Sequence, residues 1–198
     1  MERILIVGAG GHGRAVAEAI ELAGNFEIAG FLDDCYPQIK EVWSYPVLGT
    51  AHELSGFASY AGALIVAIGN NRVRETVFDR AKAAGFTMPS IVHPSAVVSR
   101  RALTGEGCCI MAGSVLGTEA TLGRGCVVNV NASVDHHCRL DDFAHLGVGV
   151  HLAGGVRVGA SAWMQAGSSA GYRVEVPSGA VVVPGAGLCV DRSGERYE

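Results

Sequence analysis

Blocks of six beginning at Ser95 read SAVVSR (95–100), RALTGE (101–106), GCCIMA (107–112), GSVLGT (113–118), EATLGR (119–124), GCVVNV (125–130), NASVDH (131–136), HCRLDD (137–142), FAHLGV (143–148), GVHLAG (149–154), GVRVGA (155–160), SAWMQA (161–166), GSSAGY (167–172), RVEVPS (173–178), GAVVVP (179–184) and GAGLCV (185–190). The fourth place is apolar and usually aliphatic, with Thr104 and Ala170 as exceptions, and the second place is small or valine throughout. Ordinary strand alternation has a period of two and imposes no size rule every sixth residue. A triangular coil of three hexads does: the large residue fills the prism and the small one fits near a corner. Eighteen residues then make one coil, and about five coils stack at roughly 4.8 Å spacing through parallel backbone hydrogen bonds. Such a stack has raw edges at both ends that need cover. The segment before the repeat is expected to cover the first, and the polar tail 191–198 the last.

The rest of the composition agrees with a compact chain of this kind. The sequence has 198 residues, 49% hydrophobic and 17% charged, and its 28 glycines are about twice what average usage of about 7% supplies, as a turn-rich repeat requires. Net charge is −4 with no run of Lys or Arg, which speaks against a nucleic-acid partner and against an anionic membrane surface. The apolar run 4–7 near the N-terminus is too short for a signal-peptide core or a transmembrane span, so the expected address is cytoplasmic. None of the six cysteines falls in a C-x-x-C pair, and reduced thiols are expected.

Residues 1–90 read as a separate α/β domain and 91–198 as the repeat domain. The run ILIV (4–7) suits a strand buried on both faces, and it ends in the glycine-rich GAGGHG (8–13) before a helix expected from Arg14 to Leu22. Gly8, Gly10, Gly11 and Gly13 allow a tight turn close to a ligand, the helix N-terminus attracts phosphate, and His12 offers a further donor. A second strand (27–32) ends in Asp33 and Asp34, suited to ribose or sugar hydroxyls or equally to a solvated turn. A third strand (63–68) ends in Gly69-Asn70-Asn71, followed by a helix from Arg74 to Ala84, and these polar side chains fit a base edge or an ordinary turn. About 90 residues are too few for a two-half dinucleotide fold, so a Rossmann-like half holding a mononucleotide is the better fit.

Taken together, GAGGHG from Gly8, FLDD from Phe31, AIGNNRVR from Ala67, IVHPSAVVS from Ile91 and NVNASVDHHCRLDDFAHLGVGVHLAGGVRVG from Asn129 resemble the hexapeptide-repeat sugar acetyltransferases. That group contains sialic acid O-acetyltransferases and N-acetyltransferases of nucleotide-linked amino sugars. The resemblance implies an N-terminal α/β domain followed by a left-handed parallel β-helix, a homotrimer, acetyl-CoA between neighbouring β-helices and a nucleotide sugar held by the first domain, with Arg74 among its contacts. It implies His136 as catalytic base, Asn129 as a polar active-site residue, and His145, Gly154 and Ala166 on the acetyl-CoA side. Many relatives carry an acidic residue directly after the catalytic His, where this chain has His137, and Asp135 is the substitute to consider.

The chemistry suits those residues. An amine or hydroxyl attacking a thioester must lose a proton, imidazole accepts one near neutrality, and a backbone N–H such as that of Gly154 can hold the developing oxyanion. His136 and Gly154 are one coil apart and should stack. The expected activity is acetyl-CoA-dependent N-acetylation of a nucleotide-linked amino sugar. O-acetylation of a sugar hydroxyl is the alternative, and a non-catalytic nucleotide-sugar-binding protein a further one. Cys138 holds a small inward place and reads as core. A metal site from His136, His137, His145 and His151 is not expected, because their spacing differs from that of β-helical carbonic anhydrases.

Overall fold

The computed structural model describes residues 1–190 and the backbone of 196–197. Two compact units divide it, Met1–Pro94 and Ser95–Glu198, and the hexads begin where the second begins.

The first unit alternates strand and helix: β1 (Glu2–Val7), α1 (Gly11–Ala23), β2 (Phe26–Leu32), the short pair β3 (Glu41–Val42) and β4 (Tyr45–Gly49), a 3-10 segment (Ala51–Phe57), β5 (Ala63–Val66) and α2 (Asn71–Ala83). The sheet order is β3-β4-β2-β1-β5; β1, β2, β4 and β5 run parallel and β3 pairs antiparallel with β4. Ile4, Leu5, Ile6 and Val7 are almost wholly enclosed, as a central strand requires. From β1 the chain crosses to β2 on one side, and β5 later takes the other, so the order reverses at β1. Ligands of open α/β sheets bind outside the carboxyl ends of the strands at such a reversal.

Both helices start three residues earlier than expected. Gly10 is the N-cap of α1, with extended backbone and no side-chain cap, so Gly11, His12 and Gly13 form the first helical turn rather than a loop. In α2 the Asn70 side chain accepts a hydrogen bond from the Val73 N–H at 3.1 Å, which fixes the start at Asn71. Gly24 ends α1 in the left-handed conformation (φ 65°), where glycine avoids the Cβ penalty.

The second unit is the parallel β-helix. Two-residue strands stack eighteen residues apart into three flat sheets, one through Val115, Ser133, His151 and Ser169, a second through Thr121, Arg139, Arg157 and Glu175, a third through Cys109, Val127, His145, Trp163 and Val181. The fourth-place residues from Ile110 to Val182 fill the prism and are buried. Cys108, Cys126 and Cys138 lie at inner second places, where each thiol donates to a carbonyl of the same corner one coil on, at 3.1 to 3.2 Å. Thr104, an exception to the size rule, is exposed, and Val98 and Leu188 are only partly buried. The prism thins toward its ends.

From Gly107 to Gly185 the first place of every hexad has positive φ, between 55° and 74°. Glycine fills most of these corners; Glu119, Asn131, His137, Phe143, Ser161 and Arg173 fill the rest despite a cost of roughly 1 kcal/mol for a side chain in that conformation. Of the tail, residues 191–195 and 198 lie outside the described residues. Strand Arg196–Tyr197 pairs antiparallel with the last strand, Gly187–Val190, which covers the final edge of that sheet. Among the described residues no helix is long and apolar enough to cross a membrane.

Candidate active site

The corner between the sheet of Ser133 and the sheet of Arg139 gathers His136, His137, Asp135 and Gly154. Stacking at eighteen residues puts His136 over Gly154, and a Cβ built on Gly154 would meet the His136 ring, 2.5 Å from Nε2 and 3.0 Å from Nδ1. The Asp135 carboxylate anchors the corner by accepting from the His136 backbone N–H at 2.7 Å, and its other oxygen is 3.7 Å from His136 Nε2. His136 Nδ1 is 2.9 Å from His137 Nδ1, with the two rings edge to face. His137 Nε2 is in turn 2.8 Å from Glu119 Oε2, a carboxylate from the coil before. The sequence reading missed Glu119; the signal was available, because 119 and 137 are eighteen apart and share the first place of their hexads.

Gly154 is a sharp probe of this geometry. Its backbone is not left-handed and the atoms nearest to a methyl group there belong to a flexible, half-exposed ring, so Gly154→Ala should leave the melting temperature nearly unchanged while pushing His136 aside. We expect kcat to fall by about 10²-fold, the scale of a 1 Å misplacement; comparing turnover with thermal melting of the same variant checks it.

The remaining expected residues of this unit lie elsewhere on the prism. Asn129 and Ala166 occupy the corner at the other end of the Ser133 sheet, and Asn129 Oδ1 accepts from the following Val130 N–H at 2.8 Å. His145 lies on the third sheet, buried and stacked on Trp163 with ring centroids 5.6 Å apart. One chain therefore brings His136 to Gly154 but not to Asn129, His145 or Ala166. Cys138 is no nucleophile: burial pushes its thiol pKa up and its Sγ donates to the Ala153 carbonyl. Among the described residues no three His, Cys, Asp or Glu side chains are arranged to hold a metal ion.

In the first unit the expected residues converge on the carboxyl edge of the sheet, though several are engaged with the protein itself. Gly8 has φ 109° and its Cβ position falls 2.7 Å from the Ala67 carbonyl, so only glycine lets β1 and β5 diverge there. Gly10 and Gly11 are exposed and nothing lies within 4 Å of their Cβ positions, which leaves the uncapped start of α1 open. His12 turns inward; burial and then the Arg74 charge lower its pKa to about 4, so it is neutral at pH 7, and its Nε2 is enclosed without a partner among the described residues. Asp33 accepts from Ala9 N at 2.7 Å and Cys35 N at 2.9 Å, tying the glycine loop to the end of β2. Asp34 accepts from Ala51 N at 3.0 Å. Arg74 is buried and donates to the Ile68 and Gly69 carbonyls and to Asn71 Oδ1, so it braces the β5–α2 turn. Beside that turn is a cleft of about 240 Å³ lined by Asp34, His52, Arg72 and Arg80 among others.

A hexad prism with a buttressed histidine at one corner, preceded by an α/β unit with an open helix N-terminus, defines an acyltransferase of the hexapeptide-repeat class. Comparison with known proteins carries this further. The PglD N-terminal domain family matches residues 3–81. UDP-N-acetylbacillosamine N-acetyltransferase of Bacillus subtilis is 34% identical over 115 residues, which are 57% of this chain but only 52% of that relative. Perosamine N-acetyltransferase from Caulobacter crescentus, solved as a histidine-to-asparagine variant with CoA and GDP-perosamine, is 31% identical, superposes with a TM-score of 0.84, and covers 100% of this chain and 98% of its own. The acetyltransferase domain of PglB from Neisseria gonorrhoeae, solved with acetyl coenzyme A, is 33% identical with a TM-score of 0.75 over 95% of this chain and 96% of that one. The chain belongs to the hexapeptide-repeat sugar acetyltransferases, in the group of nucleotide-amino-sugar N-acetyltransferases.

Proposed function

We propose that the protein transfers the acetyl group of acetyl-CoA to the amine of a nucleotide-linked amino sugar, with His136 as general base. The observation that carries this reading is the His136 ring, held over Gly154 and hydrogen-bonded through Nδ1 so that Nε2 is the nitrogen left to take a proton. The amine nitrogen attacks the thioester carbonyl carbon as its proton passes to His136 Nε2. The oxyanion that forms is met by a backbone N–H, for which Gly154 under the ring is suited. Collapse restores the carbonyl, breaks the C–S bond and returns the proton from His136 to the CoA sulfur. Asp135, 3.7 Å from Nε2, stabilises the imidazolium between the two transfers.

The open first turn of α1 suits the diphosphate of the nucleotide, and the cleft of Asp34, Arg72 and Arg80 suits its ribose and base. Asp33 and Arg74 then act by holding the glycine loop and the β5–α2 turn in place. Asn129, His145 and Ala166 are the residues assigned to the acetyl-CoA side, and they lie away from the His136 corner. A homotrimer, in which a neighbouring copy brings its own such surface, completes the site.

The test is turnover. Purified protein mixed with acetyl-CoA and a panel of UDP- and GDP-linked amino sugars should release free thiol with at least one of them, and the product should survive mild alkali as an amide does. No thiol with any member removes the reading, and an alkali-labile product turns it into O-acetylation.

A further inference from the structure

We propose that Glu119 is a positioning residue that sets His136 in its basic tautomer, acting through His137; this rests on the reading of His136 as the base. The argument is hydrogen-bond bookkeeping along one line of atoms. An ionised carboxylate only accepts, so at 2.8 Å from Glu119 Oε2 the His137 Nε2 carries the proton. Neutral His137 then has its lone pair on Nδ1. That atom is 2.9 Å from His136 Nδ1, where one partner must donate, and the donor can only be His136. With its proton on Nδ1, His136 presents the Nε2 lone pair to substrate. The carboxylate thus decides, two hydrogen bonds away, which nitrogen of the base is free.

The eighteen-residue register is what brings the two side chains together. Glu119 and His137 both have φ 59°, the left-handed corner that glycine fills at Gly155 one coil on. Side chains there are disfavoured, yet this column carries an acid and an imidazole in successive coils at bonding distance.

The experiment uses the full-length protein with histidine labelled by ¹⁵N, and a Glu119→Gln variant. Long-range ¹H–¹⁵N correlations should find wild-type His136 protonated at Nδ1, its signals assigned by their loss in His136→Ala. In Glu119→Gln the amide can donate to His137 as well as accept, so His136 should shift toward the Nε2-protonated form. In turnover Glu119→Gln should lose about 10- to 10³-fold in kcat, the range for a base held in the wrong tautomer, with the KM for acetyl-CoA little changed and partial recovery in Glu119→Asp. In a His137→Asn background the same Glu119→Gln change should cost nothing further, because the line is already cut. Wild-type His136 protonated at Nε2, an unchanged kcat in Glu119→Gln, or losses that add in the double variant would each overturn the proposal. Failure of the wild type to acetylate any amino sugar removes the function instead, and the tautomer measurement then decides the relay alone.

Discussion

Replacing His136 by Ala should lower kcat by about 10²- to 10⁴-fold, the range that a positioned general base supplies, while the protein keeps its fold and its affinity for acetyl-CoA. Stability should hardly move, since the side chain is half exposed and its polar partners, Asp135 and His137, are exposed to water as well. The Gly154 N–H and the substrate-binding surfaces are untouched, so the residual rate reports what binding and oxyanion stabilisation achieve without proton removal. Steady-state kinetics beside calorimetric binding of CoA separates the two. Turnover within a few-fold of wild type would place the base elsewhere.

Gly13→Ala should have the larger structural effect. Gly13 sits in the first turn of α1, and a Cβ there would overlap the Gly8 carbonyl oxygen and lie 2.8 Å from its carbon. Unlike the ring over Gly154, this obstacle is backbone, and the Gly8 N–H is itself bonded to the Leu32 carbonyl at 2.8 Å. The helix must move off the strand, at about 1–3 kcal/mol for a forced overpacking, and the loop proposed to hold the diphosphate moves with it. We expect nucleotide-sugar affinity to drop at least about 100-fold, equivalent to about 2.7 kcal/mol, with acetyl-CoA binding unaltered. Gly10→Ala is the internal control: with φ −75° and nothing within 4 Å it should fold as well as wild type. Titration calorimetry with each ligand checks both, and a Gly13→Ala protein that binds the nucleotide sugar normally would show that the close approach of helix and strand is not needed.

The prism was legible because each place in a hexad makes a demand that a single residue type meets: volume at the fourth place, its absence at the second. The corners were less so. Their demand is a positive φ, usually announced by glycine, and here Glu119, Asn131, His137, Phe143, Ser161 and Arg173 satisfy it without announcing it. The Glu119–His137 contact was hidden for the same reason, since a chain read linearly separates residues that the coil superimposes. In the first unit the glycine run was read as loop although glycine at the start of a helix needs only a following run of good helix formers. Asn70 and Asn71 suited a base edge as types, yet their side chains bond to Val73 N–H and to Arg74 within the turn itself, which no pattern of types discloses. The segment of β3, β4 and the 3-10 turn was not assigned, although Thr50 and Glu53 spell a capping box, in which the Glu53 carboxylate accepts from the Thr50 backbone N–H at 2.8 Å and from its hydroxyl at 2.9 Å.

The eighteen-residue repeat places an unusual restriction on change in length. Deleting or duplicating one hexad would turn everything beyond it by a third of a revolution, carrying His136 away from Glu119 or Gly154 to another side, whereas gaining or losing three hexads would restore alignment and alter only the height of the column. Drift within this half of the gene should therefore proceed through point substitutions or through whole rungs, and engineers who wish to move the His136 corner have a ruler graduated in steps of roughly 4.8 Å.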